Sequence, residues 1–111
     1  MKETIQILKA LADETRLRIV NILSVKEFCV CEIQEILSMS EPRISRHLRI
    51  LKTAGLVSSK EEGRWVFYTL QPDPKLERLF SFLKGSLKDN EVFKRDLEKA
   101  MKTNLACRVN Y

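Results

Sequence analysis

The chain has 111 residues, 44% of them hydrophobic and 32% charged, which suits one domain around a modest core. Its net charge of +5 favours an anionic partner, and no apolar run approaches the roughly 20 residues of a membrane span. The opening Met1-Lys2-Glu3-Thr4 leads into no secretion-signal core, and Cys29, Cys31 and Cys107 are an odd number, so a cytoplasmic protein with reduced thiols is expected rather than a disulfide scaffold. His47 is the only histidine, which argues against a His-rich metal site and against a Ser-His-Asp hydrolase.

In chain order, Ile5, Leu8 and Leu11-Ala12 recur at helical spacing and predict a first helix. Asp13 is a good N-cap for a second, whose apolar positions 17, 19, 20, 22 and 23 predict deep burial. Phe28-Cys29-Val30-Cys31 reads as a short extended run into a third helix, Glu32 to Ser38, buried through Ile33, Ile36 and Leu37. After the turn Ser38-Met39-Ser40, a fourth helix is capped by Ser40, carries Pro42 in its first turn and ends at Gly55. Its apolar face is Ile44, Leu48 and Leu51. Two helices joined by so short a turn, the second rich in Arg, predict a helix-turn-helix. Leu56 to Lys60 and Trp65 to Leu70 flank the turn Glu61-Glu62-Gly63-Arg64 and predict a β-hairpin, a wing. Pro72 and Pro74 close it. Leu76, Leu79, Phe80 and Leu83 predict a fifth helix interrupted at Gly85, with a stripe too apolar for a free surface. Val92, Leu97, Ala100 and Met101 predict a last, more polar helix. The expected fold is mainly α with a small β-hairpin. It is a single winged-helix domain over 1–111, with a C-terminal helical extension from about residue 72 to 111.

On the fourth helix, Ser45, Arg46, Arg49, Lys52 and Thr53 fall opposite or beside the apolar face, where they can meet the major groove or its flanking phosphates. Arg43 lies near the helix N-terminus, where recognition helices usually meet bases, and Arg64 at the hairpin tip suits a phosphate or minor-groove contact. The expected DNA-binding set is Arg43, Ser45, Arg46, Arg49, Lys52 and Arg64. His47 sits at the edge of the apolar face and is expected to pack or hydrogen-bond rather than bind metal.

Cys29 and Cys31 point to one face if the segment is extended, but lie about 200° apart in a helix. Thiolates bind zinc at about 2.3 Å, so two that share such an ion approach within about 4 Å, which an extended pair can do. Capture of an ion would then distort the start of the following helix. Soft thiolates select soft ions. Two small buried hydrophobes, or a redox or persulfide switch, are the alternatives for this pair.

The stretches Leu8-Lys9-Ala10-Leu11-Ala12-Asp13-Glu14-Thr15-Arg16-Leu17-Arg18-Ile19, Cys29-Val30-Cys31-Glu32-Ile33, the run from Ile44 to Val57 and the run from Glu62 to Leu70 together resemble the ArsR/SmtB family of metal-responsive repressors. The resemblance spans roughly residues 5 to 72. It implies a homodimer, held by the first and penultimate helices, that blocks transcription until an inducer binds. It points to As(III) or Sb(III) as inducer, with Cd(II) or Pb(II) less favoured. A symmetric dimer implies a pseudo-palindromic double-stranded operator. Family members with Cys-Val-Cys often carry another cysteine three residues on, where this chain has Gln34, and cadmium-sensing relatives add N-terminal cysteines that are absent here. A three-thiolate site would therefore need Cys107, from the same or the partner chain; otherwise Cys107 is a tail thiol. With one histidine, the carboxylate-histidine site of some relatives is not expected. A Cys-X-Cys metallochaperone is the alternative from another class. An enzyme is not expected, because the glycines at 55, 63 and 85 form no phosphate loop.

Overall fold

A computed structural model describes residues 1–103. Helix α1 (Lys2–Leu11) meets α2 (Glu14–Leu23) at Asp13, whose carboxylate accepts the Arg16 backbone N–H at 3.0 Å, as expected of an N-cap. Ile19, Val20, Ile22 and Leu23 bury the inner face of α2, making it the centre of the molecule. Helices α3 (Val30–Leu37) and α4 (Glu41–Thr53) form the helix-turn-helix. The turn between them places Ser38 in the left-handed region at φ 55. Ser40 occupies the N-cap position of α4 without a side-chain cap bond, and Pro42 stands in the first turn. Gly55, at φ +78, ends α4: its N–H reaches the Lys52 carbonyl at 3.0 Å and the Leu56 N–H reaches that of Leu51 at 3.0 Å. That bond pair satisfies carbonyls the helix leaves open, and a left-handed residue there favours glycine. Ile44, Leu48 and Leu51 are fully buried against Ile19, Ile22, Phe28 and Ile33.

Strands β2 (Val57–Glu62) and β3 (Trp65–Leu70) form the wing. The hairpin is tighter than expected: β2 runs on to Glu62, which pairs with Trp65, leaving a two-residue turn, Gly63-Arg64. Gly63 has φ +62 and is the turn residue that needs it. A third strand, β1 (Phe28–Cys29), pairs antiparallel with β3, Phe28 opposite Tyr68 and Cys29 opposite Phe67, so the sheet order is β1-β3-β2. The expected extended run therefore stops at Cys29. Val30 and Cys31 already belong to α3, which starts two residues before the expected Glu32.

Helix α5 (Pro74–Leu87) is capped by Asp73 and passes through Gly85 without a break, contrary to the expected interruption. Part of its apolar stripe faces the chain's own core. Leu76 and Phe80 are buried in the chain's own core, and Leu79 and Leu83 pack against it. What α5 leaves outside is Phe82, 68% exposed, while α1 exposes Ile5 and Leu8. Helix α6 (Glu91–Lys102) packs on α2 through Phe93 and Ala100 and through Asp96, whose carboxylate takes a two-pronged ion pair from Arg18 at 2.7 and 3.0 Å.

Candidate nucleic-acid interface and thiol cleft

Helix α4 buries Ile44, His47, Leu48 and Leu51, which turns Arg43, Arg46, Arg49 and Lys52 outward. Arg43 and Arg46 are exposed on the first two turns. Ser45 is half-buried, and its hydroxyl donates to Glu41 Oε1 at 2.6 Å, one turn back. Lys52 leans toward the wing, its Nζ donating to Ser59 Oγ on β2 at 2.6 Å. Arg49 lies at a groove shared with Lys9 and Arg16 near α1. Arg64 stands exposed at the wing tip.

The two cysteines sit where these elements converge. Cys29 is 2% exposed and is the N-cap of α3, with extended backbone at φ −84, ψ 166. Its N–H donates to the Glu32 carboxylate at 3.0 Å, so a buried acid three residues on secures the helix start. Sequence reasoning missed this role of Glu32, although Cys-x-x-Glu has the spacing of a capping box with cysteine in place of serine. Cys31, half-buried in the first turn, is disulfide-bonded, contrary to the expected reduced thiol, so the pair can take an ion only once that bond is reduced. Both cysteines line one shallow cleft with Gln34, Glu41 at the start of α4, and Arg64 and Trp65 of the wing. Among the described residues no three His, Cys, Asp or Glu side chains are grouped as a metal site, and Cys107 lies outside the described residues.

A model of the bacterial regulatory protein, arsR family, matches residues 13–59. The chain is 32% identical to HlyU from Vibrio cholerae, covering 79% of this chain and 95% of that one with a TM-score of 0.74. The chain belongs to the ArsR family. The matched residues of this ArsR-family chain run from the N-cap of α2, through both helices of the helix-turn-helix, into β2. It is 51% identical over 69 residues to the arsenical resistance operon repressor of Escherichia coli K12. That match takes in 61% of this chain and 59% of the repressor, less than two thirds of the relative's length. A Mycobacterium bovis protein described as a homodimeric winged helix-turn-helix DNA-binding domain, a possible ArsR-family regulator, is 28% identical, with TM-score 0.71 over 81% of this chain and 82% of that one. The winged helix-turn-helix fold expected from the sequence is thus the fold observed. Among the described residues no helix is long and apolar enough to cross a membrane.

One further cluster braces the ArsR-family recognition helix from behind. Arg16 donates from Nε to the Ala10 carbonyl at 2.6 Å, closing the C-terminal end of α1, and its Nη1 lies 3.3 Å from His47 Nδ1. Arginine can only donate, so this bond requires Nδ1 to be unprotonated. Burial pushes the His47 pKa down, against the pull of Asp13, and the Arg16, Arg46 and Arg43 charges push the same way. Burial alone would raise the Asp13 carboxyl, but the Arg16 backbone N–H, the Arg16 and His47 charges and the Thr15 N–H outweigh it and hold the carboxyl low. His47 is therefore a buried hydrogen-bonding residue linking α4 to the α1–α2 junction.

Proposed function

We propose that residues 1–111 act as one cytoplasmic, homodimeric repressor that binds a pseudo-palindromic operator and is released by a thiophilic ion at Cys29 and Cys31. As(III) and Sb(III) are the favoured inducers, ahead of Cd(II) and Pb(II). The observation that carries this reading is the cleft in which both cysteines meet the start of the recognition helix and the wing tip. Arg43, Arg46 and Arg49 supply guanidinium groups for guanine edges and phosphates, and Lys52 and Arg64 supply phosphate contacts from the side of the wing. The names of the Escherichia coli and Mycobacterium bovis relatives support the inducer class and the dimer respectively.

An ion that fixes both sulfurs sets the backbone at Val30, which is the first turn of α3. Two consequences follow from the geometry. The Cys29 N–H bond to Glu32 is disturbed, and with it the start of the helix that carries the turn into α4. The pairing of Cys29 with Phe67 carries the same displacement into β3, three residues from Arg64. The recognition helix and the wing thus both feel the thiols. A coupling of about 1–3 kcal/mol would weaken DNA binding about 5–150-fold.

Cys107, from the same or the partner chain, would supply a third thiolate. Helix α6 returns the chain to Lys26, whose Nζ donates to the Thr103 carbonyl at 2.9 Å, and Lys26 is three residues before Cys29. The partner chain is held at the outward residues Ile5, Leu8 and Phe82.

Fluorescence anisotropy with duplex DNA from upstream of the chain's own gene tests the reading. As(III) and Sb(III) should release the reduced protein at lower concentration than Cd(II) or Pb(II), and Zn(II) should not. Release by a persulfide donor but by no ion would replace this reading with a redox switch. Failure to bind any duplex would refute it outright.

A further inference from the structure

We infer that Glu41 is a base-reading residue, held by Ser45 so that its carboxylate accepts a hydrogen bond from a cytosine amino group in the major groove. The inference rests on the DNA-binding reading above.

Glu41 is the first residue of α4 and is exposed. It lines the cleft with Arg64 at the wing tip, so it stands on the side of α4 that shares a surface with the wing. Around it, Arg43, Arg46 and Arg64 are exposed and would draw phosphates close. A carboxylate in that position is repelled by phosphate unless a donor meets it. An acid in the first helical turn does favour the helix dipole. That role needs no fixed rotamer, yet the Ser45 hydroxyl grips Oε1 at 2.6 Å.

The base edges of the major groove offer two donors, the amino groups of cytosine and adenine. Adenine sets its N7 acceptor beside the amino group, where it would repel a second carboxylate oxygen. Cytosine has no such neighbour and is the base a carboxylate reads. The Ser45 proton is committed to Glu41, so Ser45 is a positioning residue here rather than a direct donor to bases, the role its place on the helix had suggested.

Selection from a random duplex pool, with the full-length wild type, Glu41→Gln and Ser45→Ala, tests this. The wild type should enrich a motif with cytosine at one position of each half-site. Replacing that cytosine by thymine should cost the wild type about 5–150-fold in affinity. In Glu41→Gln the preference at that position alone should vanish or move to adenine, with the rest of the motif kept. In Ser45→Ala it should weaken. Circular dichroism melts matching the wild type would show that the variants are folded. If Glu41→Gln returns the wild-type motif with the same cytosine discrimination, Glu41 only stabilises the helix and the inference is overturned. If the wild type enriches no motif, the DNA-binding reading fails and takes this inference with it.

Discussion

Replacing Arg18 by alanine would strand a carboxylate. Asp96 is 2% exposed, and both of its oxygens are engaged by the Arg18 guanidinium, Nε to Oδ2 at 2.7 Å and Nη2 to Oδ1 at 3.0 Å. The hydrogen bond that Arg18 donates to Asp96 in turn raises the Arg18 pKa above its ordinary value, more than burial lowers it. Removing one partner of a buried pair costs about 3–5 kcal/mol, because the other charge stays desolvated. The Arg18 side chain keeps 17% of its surface, so some water reaches the pair and the lower end applies, about 3 kcal/mol. Asp96→Ala should cost less, about 1–2 kcal/mol, since the longer guanidinium can turn toward solvent. At about 4 °C per kcal/mol for a chain of this size, Arg18→Ala should melt about 12 °C early. The double variant should be more stable than the two single losses predict. The assay is urea unfolding followed by circular dichroism, at one protein concentration because association adds to apparent stability. A loss below about 1 kcal/mol for Arg18→Ala, or equal losses for the two single variants, would refute the reasoning.

Two other outcomes are expected. The folded-state pKa of His47 lies below its unfolded value, mainly through burial, so the unfolded chain takes up the proton first as pH falls. The His47 contribution is therefore complete above about pH 6.5 and is lost as the pH drops through the folded value. Urea midpoints should fall between pH 7.5 and 5.5 by more in the wild type than in His47→Gln, and equal slopes would contradict this. Leu8→Glu, on the outward face of α1, should shift sedimentation toward the monomer and keep the wild-type helix content by circular dichroism, losing only the stability that association adds, because Leu8 is 56% exposed and contributes little to the chain's own core. An unchanged dimer would move the interface away from α1.

The helices were legible because their signals are local. Asp13 and Gly55 announce helix ends through chemistry within three or four residues. The outward basic positions of α4 followed from the period of Ile44, Leu48 and Leu51. The missed features are non-local or too short to show a period. A two-residue strand such as Phe28–Cys29 has no alternation to read, and it exists because β3 offers an edge about 40 residues later. The Arg18–Asp96 pair spans 78 residues, so neither side chain could be seen to need the other. The stripe on α5 was visible, but periodicity cannot say how an apolar face divides between its own chain and a partner: Leu76 and Phe80 enter the core, while Leu79 and Leu83 are half-buried. At the thiols, the spacing of Cys29 and Cys31 was plain. The helix start that separates their backbones depends on the Glu32 carboxylate and on the sheet, which the apolar run concealed.

The central claim is that Cys29 and Cys31 form the inducer site and that its occupation releases DNA. It is tested most directly by titrating As(III) into DNA complexes of the reduced wild type and of the Cys29→Ser, Cys31→Ser double variant, read by fluorescence anisotropy. Hydroxyls are poor ligands for a soft ion. The double variant should bind the duplex as tightly as the wild type and stay bound at As(III) concentrations that empty the wild-type complex. If it leaves the DNA at the wild-type concentration, the sensing site lies elsewhere and the account is wrong.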